Sequence, residues 1–286
     1  MVPEVTVSVV TGKSAENLRA CLRSLGSAAR TVALRVVVVD NLAPFDVATC
    51  VRQAPVAVTV IRNTERRGFG ANHNGVLKQL TTPFALVLND DLVLGCGCVD
   101  RLVEAAHRHP RAGLLGPFLH PADWSRPAVR AGGRVPELVP APVRVCGGRL
   151  LQVVGLERVR RWLLPAAGLP PEGADGVVPV SYVSGACCLL RLEALRELGG
   201  YDEGFAMYFE DIDLGRRAWQ RGWRCLQVSE ARALHREGGS SVPAVWSWVA
   251  RGARRFARKH HGRLTQAVTE LLIGILQVVL VLRGRG

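Results

Sequence analysis

Lysine is scarce in this chain of 286 residues, and it occurs only at positions 13, 78 and 259. Almost all of the 37 basic residues are therefore arginine, and against 24 acidic residues they give a formal net charge of +13. A charge of this size favours anionic partners such as nucleotide phosphates or anionic lipid. The sequence lacks zinc-finger spacing, an aromatic RNA-binding strand and a lysine-rich tail, so we expect no nucleic-acid partner.

The sequence also lacks the cysteine pattern of a zinc-binding or disulfide-stabilised domain. Its eight cysteines are scattered, and no C-x-x-C spacing occurs among them. The N-terminal residues do not have the basic, apolar and small-residue layout of a secretory signal. We therefore expect a cytoplasmic protein with reduced, mostly buried thiols.

Short apolar runs alternate with helical patterns over the N-terminal part of the chain. Four apolar, β-branched runs predict buried strands, at residues 5–10, 36–39, 56–61 and 84–88. Segments with helical spacing lie between or after them, at residues 14–25, 70–80 and 99–106. This alternation predicts an α/β fold whose parallel sheet is covered by helices on both faces.

Acidic and amide side chains follow several of these predicted strands. Asp40, Asn63 and the acidic pair Asp90 and Asp91 all occupy such positions. Ligands of open parallel sheets bind beyond the carboxyl ends of the strands. Carboxylate oxygens suit Mg²⁺ or Mn²⁺, although a solvated turn is the ordinary explanation for an isolated pair of aspartates.

A glycine-containing segment, residues 63–75, leads into the helix predicted at 70–80. Gly68 and Gly70 permit close backbone approach, and a helix starting near Ala71 would offer free N–H groups to a phosphate. Arg66 and Arg67 lie in the same loop, where a solvated arginine is the more common case. We therefore expect this segment to contact an anionic ligand.

Five acidic residues fall within the twelve positions from Asp202 to Asp213. They follow a short helix predicted at residues 192–198 and ended by Gly199 and Gly200. Carboxylates at this density repel one another, and they persist where a cation, a basic partner or a proton-transfer role compensates. The alternative is that these acids only stabilise a helix N-terminus.

Taken together, these segments resemble the inverting glycosyltransferases of family 2, which have the GT-A fold. The resemblance is carried by residues 36–46, 63–75, 88–91, 184–191, 199–214 and 235–240, and it covers roughly residues 4–262. It implies a GT-A Rossmann-like nucleotide-binding fold with a mostly parallel central sheet flanked by helices. Within this family, the sequence most resembles the rhamnosyltransferase-like enzymes of bacterial cell-wall and polysaccharide assembly.

The resemblance implies a role for each matched residue. Asp211 would be the general base, with Glu210 beside it, and Asp91 and His235 would hold Mg²⁺ or Mn²⁺. Asp40 would read the nucleobase, since a carboxylate can accept the imide N–H of uracil or thymine. The full set implied to bind the nucleoside-diphosphate sugar is Asp40, Asn63, Gly68, Gly70, Asn74, Asp90 and Gly185. The first strand departs from the family's Asn-Tyr-Asn-like ending, because residues 11–13 are Thr-Gly-Lys.

The implied reaction moves a sugar from a nucleoside-diphosphate sugar to a hydroxyl of a saccharide or polyprenyl-linked acceptor, with inversion. Two alternatives remain open at this point. One is a nucleotidyltransferase, which shares the α/β layout and the acidic metal site. The other is a catalytically inactive protein of the same fold that binds a membrane surface.

The rest of the chain differs in composition from these motifs. Residues 116–180 contain most of the prolines and predict one long irregular connection. Near the C-terminus, Arg251, Arg254, Arg255 and Arg258 recur at helical spacing, and the apolar run 271–282 follows. That run is too short for a membrane span, which needs ~20 residues.

We therefore divide the chain into a GT-A catalytic domain, residues 1–244, and a basic and apolar helical segment, residues 245–286. Two main interpretations of the second segment remain open, and insertion across the membrane is a distant third. Its helices pack on the catalytic domain, or they attach the protein peripherally to anionic lipid at the inner face of the cell membrane.

Overall fold

The computed structural model describes residues 4–121, 124, 140–156, 176–236 and 242–283. The strands are β1 (Val5–Thr11), β2 (Leu34–Asp40), β3 (Val58–Arg62), β4 (Phe84–Asn89), β5 (Leu92–Leu94), β6 (Ala112–Pro121), β7 (Val177–Val180), β8 (Cys187–Arg191) and β9 (Arg224–His235). The helices are α1 (Ala15–Ala28), α2 (Val47–Val51), α3 (Phe69–Leu77), α4 (Cys98–Arg108), α5 (Ala141–Val153), α6 (Leu192–Leu198), α7 (Glu210–Gln220), α8 (Val242–His260) and α9 (Arg263–Arg283).

The described strands form one sheet in the order β3-β2-β1-β4-β8-β6-β9-β5, with β7 paired to β9. Strands β1 to β4 pair in parallel, so their carboxyl ends share one edge. Strand β8 runs antiparallel to β4 and β6, and β9 is parallel to β6 and antiparallel to β5 and β7. The predicted α/β class, with helices flanking a central sheet, is confirmed.

Burial on both faces explains the unbroken apolar runs of the central strands. In β2, Val36 and Val38 join the core cluster that includes α1, while Val37 and Val39 pack on the other face with Val76 of α3. Successive strand residues point to opposite faces, so a strand covered on both sides is apolar at every position. All eight cysteines are reduced, and seven of them are buried.

The prediction of one irregular connection over residues 116–180 is wrong where the structure describes it. Strand β6 continues to Pro121, and α5 and β7 lie further along the segment; residues 122–123, 125–139 and 157–175 fall outside the described ranges. Helix α5 buries Ala141, Cys146 and Val153 against α8 and α9. Its packing partners, α8 and α9, follow it in the chain by about a hundred residues.

Helices α8 and α9 do not form a separate unit in the structure. They share a hydrophobic cluster with α5 and with Phe205 and Phe209. These two aromatic residues belong to residues 202–213, which we call the acidic segment. Helix α8 begins at Val242, before the boundary drawn at residue 244. The division into two domains stays a prediction. Of the interpretations of the second segment, packing on the catalytic domain agrees with this shared cluster.

Helix α9 is longer than the apolar run of twelve residues suggested. Residues 263–282 are long and apolar enough to cross a membrane by length and composition, and 17% of the span's most apolar window is buried. Its buried side contains Ile273 and Leu276, whose side chains are fully covered by α5 and α8. Its other side leaves large apolar side chains exposed, at Leu264, Leu271, Ile275, Val278, Val281 and Leu282.

Candidate active site

The polar residues singled out in the sequence meet at the carboxyl edge of the parallel strands. At the end of β1, Thr11 Oγ1 donates a hydrogen bond to Asp90 Oδ2 over 2.6 Å. The backbone N–H of Asn89 donates to Ala186 O just before β8. The next residue back, Gly185, donates its N–H to Asp211 Oδ2 over 3.3 Å. The acidic pair after β4 and the N-terminus of α7 therefore lie in one site.

Asp91 and His235 are 144 residues apart in the chain and lie side by side in the fold. Strand β5 pairs antiparallel with the end of β9, and this places His235 Nε2 3.1 Å from Asp91 Oδ2. Asp91 Oδ1 is buried and has no hydrogen-bond partner among the described residues. A buried carboxylate oxygen without a partner is costly unless a cation or proton satisfies it.

These two side chains fit a divalent cation such as Mn²⁺ or Mg²⁺, which takes oxygen and imidazole donors. Both remain partly accessible, with 19% of the Asp91 side chain and 28% of the His235 side chain exposed. Within the described ranges, no group of three or more His, Cys, Asp or Glu side chains could hold a metal. Asp91 and His235 are thus the two side chains of the described part of the chain that we assign to a cation.

Asp40 lies at the end of β2 and is almost fully buried, with 3% of the residue exposed. Its Oδ1 accepts the backbone N–H of Ala43, and its Oδ2 lies 3.2 Å from Arg62 Nε. The Arg62 side chain is itself 74% exposed. A nucleobase N–H would have to share the Asp40 carboxylate with these two partners.

A network of three asparagines fixes the loop after β3. Asn63 Nδ2 donates to Asn41 Oδ1 and to Asn72 Oδ1. Asn41 in turn accepts the N–H of Arg67 and donates to its carbonyl oxygen. Asn63 therefore stabilises this loop through its side-chain hydrogen bonds. A contact with a nucleotide would be an additional role.

Gly68, Gly70 and Asn74 pack against the acidic segment in this structure, and their expected contact with the nucleotide sugar stays a prediction. A Cβ on Gly68 would lie 2.6 Å from Ala206 O, and one on Gly70 would lie 2.8 Å from Tyr201 Cβ. Helix α3 starts at Phe69, not near residue 71, and the Phe69 N–H donates to Ala206 O. The acidic segment therefore covers the helix N-terminus that was expected to face a phosphate.

Asn74 is a buried link between α3 and the acidic segment. Its Nδ2 donates to Tyr201 O and to Glu203 Oε1, and its Oδ1 accepts the Tyr201 N–H. Its amide is thus fully used by the protein. Asn74 matches the family motif, and in this structure its side chain holds residues 201–203 against α3.

The acidic pair Glu210 and Asp211 opens α7 after a strained turn. Tyr208 and Phe209 have φ angles of 67° and 73°, in the left-handed region that favours glycine. Such conformations persist where the surrounding structure holds them. Here Gly252 of α8 packs so closely that a Cβ on it would lie 2.7 Å from Tyr208 O.

Burial raises the pKa of both carboxyl groups in this pair. The pKa of Glu210 rises to about 8, first through desolvation and then through the nearby charge of Asp211. Desolvation also raises the pKa of Asp211, but the N–H groups of Gly185 and Ile212 oppose it. Glu210 Oε2 is buried and has no partner in the described part of the chain. Burial therefore favours the protonated form of both groups, while the N–H groups of Gly185 and Ile212 favour the ionised form of Asp211.

Two other acids of this segment, Asp202 and Asp213, are bound to α8. Arg255 and Lys259 each contact Asp202 over 2.7 Å. Burial alone would raise the pKa of Asp202, but hydrogen bonds from Lys259 and Arg255 outweigh it and lower the pKa to about 2. Asp213 is fully buried among Lys259, His260 and Arg217. Neither acid is placed to take a proton near neutral pH.

Two of the four arginines predicted to form a basic membrane face are in close ion pairs with carboxylates of the protein, and Arg251 donates to Ser247 O and lies over the Trp248 ring. Arg255 pairs with Asp202, and Arg254 Nε lies 2.8 Å from Glu270 of α9. Arg258 reaches Glu270 only at 3.9 Å and keeps 71% of its side chain exposed. Arg254 and Arg255 therefore bind α8 to neighbouring segments, whereas Arg251 and Arg258 face solvent.

Sequence reasoning missed Thr11, Lys259 and His260. Thr11 was noted only as a departure from the family pattern, yet it positions Asp90. Lys259 is one of three lysines in the chain, and that rarity was the one available signal. Its contacts with Asp202 and Asp213 span more than 40 residues, so no local pattern predicts them.

This arrangement of strands and acidic residues is that of a glycosyltransferase of the GT-A class. Over 99% of its length, the chain superposes with a TM-score of 0.59 and 16% identity on 79% of a mannosyltransferase from Pyrobaculum calidifontis in complex with GDP-Man and Mn²⁺. A structure of GalNAc-T7 with UDP, GalNAc and Mn²⁺ is similar over 87% of this chain and 47% of that one, with a TM-score of 0.60 and 16% identity.

The chain belongs to glycosyltransferase family 2, since residues 3–258 match the profile described as glycosyltransferase-like family 2. It is 30% identical over 254 residues to the N-acetylglucosaminyl-diphospho-decaprenol L-rhamnosyltransferase of Mycobacterium tuberculosis, covering 84% of this chain and 78% of that protein. It is 25% identical to an O-antigen biosynthesis protein of Myxococcus xanthus over 88% of this chain and 19% of the other. The predicted family and fold are confirmed, and the nucleotidyltransferase alternative is no longer needed.

Proposed function

We propose that this protein transfers a hexose, with rhamnose the first candidate, from a nucleoside-diphosphate sugar to a lipid-linked saccharide, with inversion and with a divalent cation. The observation that carries the proposal is the position of Asp211 at the start of α7, where the N–H groups of Gly185 and Ile212 hold its carboxylate beside the buried Glu210. The sequence relative named above acts on a diphospho-decaprenol acceptor. This chain has the same family's acidic site and a C-terminal helix pair with a basic and an apolar surface.

The donor side of the reaction is assigned to the edge formed by β1, β2 and β4. Asp91 and His235 would hold Mn²⁺ or Mg²⁺, with Asp90 fixed beside them by Thr11. A bound cation supplies charge stabilisation for the departing diphosphate. Asp40 is our candidate for nucleobase recognition and Asn63 for shaping the loop beneath the nucleotide.

The acceptor side is assigned to the start of α7. Asp211 takes the proton of the acceptor hydroxyl as that oxygen bonds to the anomeric carbon. The bond to the diphosphate breaks on the opposite face of the sugar, so one displacement inverts the anomeric centre. Glu210, being neutral, adds no second negative charge next to the base. Gly185 supplies the backbone N–H that keeps Asp211 oriented.

We also place the protein at the cytoplasmic membrane face. The outer side of α9 exposes six large apolar residues, with Leu264 at 80% and Leu282 at 66% exposure. Exposed apolar surface of this kind, next to basic side chains, favours the interface of an anionic membrane. A lipid-linked acceptor would present its sugar at that surface.

The proposal is tested by supplying the purified protein with a panel of sugar nucleotides and a lipid-linked N-acetylglucosamine acceptor, with and without Mn²⁺. We expect one donor to give a thermal shift with Mn²⁺ and a product whose anomeric configuration is opposite to that of the donor. A product with retained configuration, or full turnover in excess chelator, would contradict the mechanism. Complete inactivity with every donor, while nucleotides still bind, would support the catalytically inactive alternative.

A further inference from the structure

Helix α8 presents an open basic cleft beside the acidic segment. The cleft has a volume of about 580 Å³. The residues that line this basic cleft are Asp202, Arg251, Arg254, Arg255, Arg258 and Lys259. The donor machinery described above uses none of these side chains.

The basic cleft keeps a positive excess after its internal ion pairs are counted. Five basic side chains face two carboxylates, Asp202 in the cleft and Glu270 at its border, which leaves three uncompensated positive charges. Lys259 also contacts Asp213, but Arg217 is a separate partner of that acid. Arg251 and Arg258 are exposed. Within the described part of the chain, Arg251 contacts only its own helix, at Ser247 O and the Trp248 ring, and Arg258 lies 3.9 Å from Glu270, so neither is held in a close ion pair and both can turn toward a ligand.

The position of the cleft links it to the proposed base. Lys259 lies 2.7 Å from both Asp202 and Asp213, and Asp213 is two residues after Asp211 on α7. The cleft is therefore joined through Asp213 to the helix that carries Asp211. Residues two apart on a helix do not share a face, so a sugar attached to a group bound in the cleft would reach around the start of α7 to approach Asp211.

The basic cleft also continues into apolar surface. Arg254 and Arg258 both reach Glu270, and the next residue, Leu271, is 63% exposed and begins the outer apolar side of α9. A basic cleft that leads into an apolar ridge matches a molecule with an anionic diphosphate at the head of an isoprenoid chain. Arginine is well suited to this head because it binds phosphate oxygens through paired N–H groups.

We propose that the basic cleft of α8 binds the diphosphate of a prenyl-diphosphate-linked acceptor, and so directs the attached sugar toward Asp211. This assignment rests on the proposed function for its acceptor class. It gives Arg251 and Arg258 a binding role that differs from general attraction to anionic lipid.

The test uses farnesyl diphosphate as the probe, with excess chelator to prevent metal-dependent binding at the donor site. Calorimetry compares the wild-type protein with the double variant Arg251→Gln, Arg258→Gln. A matched control, Arg23→Gln with Arg196→Gln, removes two exposed arginines from α1 and α6. We expect the cleft variant to bind the probe at least about tenfold more weakly and the control to bind it like the wild type.

Two further ligands separate the possible sources of binding. Inorganic pyrophosphate should compete with the probe, whereas farnesol should not, because the arginines bind the diphosphate. Vesicles containing phosphatidylglycerol measure general lipid attraction, and they should not displace the probe. Equal affinity of the cleft variant and the wild type, or binding of farnesol as tight as that of the probe, would overturn the assignment.

The proposed function and the cleft can fail separately. If the wild type transfers no sugar but binds the probe through Arg251 and Arg258, only the proposed reaction fails. If transfer occurs and the cleft variant retains the wild-type KM for its acceptor, only the cleft assignment fails. In the successful case, the variant's acceptor KM rises while its donor KM and its melting temperature stay unchanged.

Discussion

The donor and acceptor sides of this site are built in different ways. The donor half, residues 4–94 together with His235, is formed mainly by consecutive strands, and many of its polar groups pair with one another through the asparagine network and the contact of Asp40 with Arg62. Within the described ranges, its buried oxygen without a partner is Asp91 Oδ1, at the candidate cation site. The acceptor half, the rest of residues 176–283 where described, joins distant segments around the buried Glu210 and two consecutive residues with positive φ angles. Backbone strain and a buried carboxyl group therefore occur together at the start of α7, where we place the proton transfer.

The largest effect is expected in the acceptor half, from Asp211→Asn. The amide keeps the shape of the side chain but cannot take the proton, so the transfer rate should fall by about 10²–10⁴. Donor binding should stay within a few-fold of the wild type, because the donor half is untouched. Steady-state rates and calorimetry with the sugar nucleotide measure the two quantities.

Glu104→Gln is the matched control for Asp211→Asn, since Glu104 is an exposed acid on α4. It should leave both the rate and the donor affinity unchanged. Near-normal turnover in Asp211→Asn would remove the base from this residue and transfer the role to Glu210. Asp202 is not a candidate, because its two ion pairs hold its pKa at about 2.

The next effect is expected in the donor half, from Asp91→Ala. Loss of a ligand to the cation should weaken Mn²⁺-dependent donor binding by about 100-fold. His235→Ala should act in the same direction and most strongly at limiting Mn²⁺. His107→Ala is the control, because His107 is an exposed histidine paired with Glu4 outside the site. Donor affinity that ignores Mn²⁺ in the wild type would refute the metal assignment.

A third change tests the border between the two halves, at Asn74. Asn74→Ala leaves the buried N–H and carbonyl of Tyr201 without partners, and it should lower the free energy of unfolding by about 2–4 kcal/mol. Donor affinity should remain within a few-fold of the wild type, as chemical denaturation and nucleotide titration would show. Asn63→Ala is the comparison within the donor half, and it should weaken donor binding instead. If Asn74→Ala lost donor affinity at full stability, the sequence-based role would be correct after all.

The smallest expected effect is the pH dependence of stability from Glu210. Its pKa rises from 4.5 to about 8 on folding, so the folded state binds the extra proton. That contribution is complete below the lower value and is lost as pH rises through the higher one. Glu210→Gln should therefore melt roughly 5 °C above the wild type at pH 9 and show little difference at pH 4.5.

Glu203→Gln provides a control of opposite sign. Hydrogen bonds from Asn74 and Lys78 lower the pKa of Glu203, so its ionised form stabilises the fold above its unfolded pKa and this stabilisation is lost as pH falls. That variant should melt slightly below the wild type at neutral and alkaline pH. Parallel melting curves for Glu210→Gln and the wild type over this pH range would show that Glu210 is ionised in the fold.

The sequence predicted most of the donor half because its signals are local. Apolar runs mark β1, β2 and β4, and the acids after them share an edge by the geometry of parallel strands. The proximity of Asp91 and His235 was implied only by the family resemblance, because no local signal connects residues so far apart. The predicted boundaries of β2 and β3 differ from the observed ones by one to two residues, which strand pairing alone decides.

The tertiary structure decided what the sequence could not, namely which protein groups the polar side chains of the site contact. Gly68, Gly70 and Asn74 match a binding motif, but the acidic segment packs on them, and only its position gives them that role. The basic stripe of α8 is visible in the sequence as charge, whereas its division into internal ion pairs and an open cleft depends on Asp202 and Glu270. Local patterns fix which residues are buried or helical, and the partners of a buried charge are fixed only when distant segments meet.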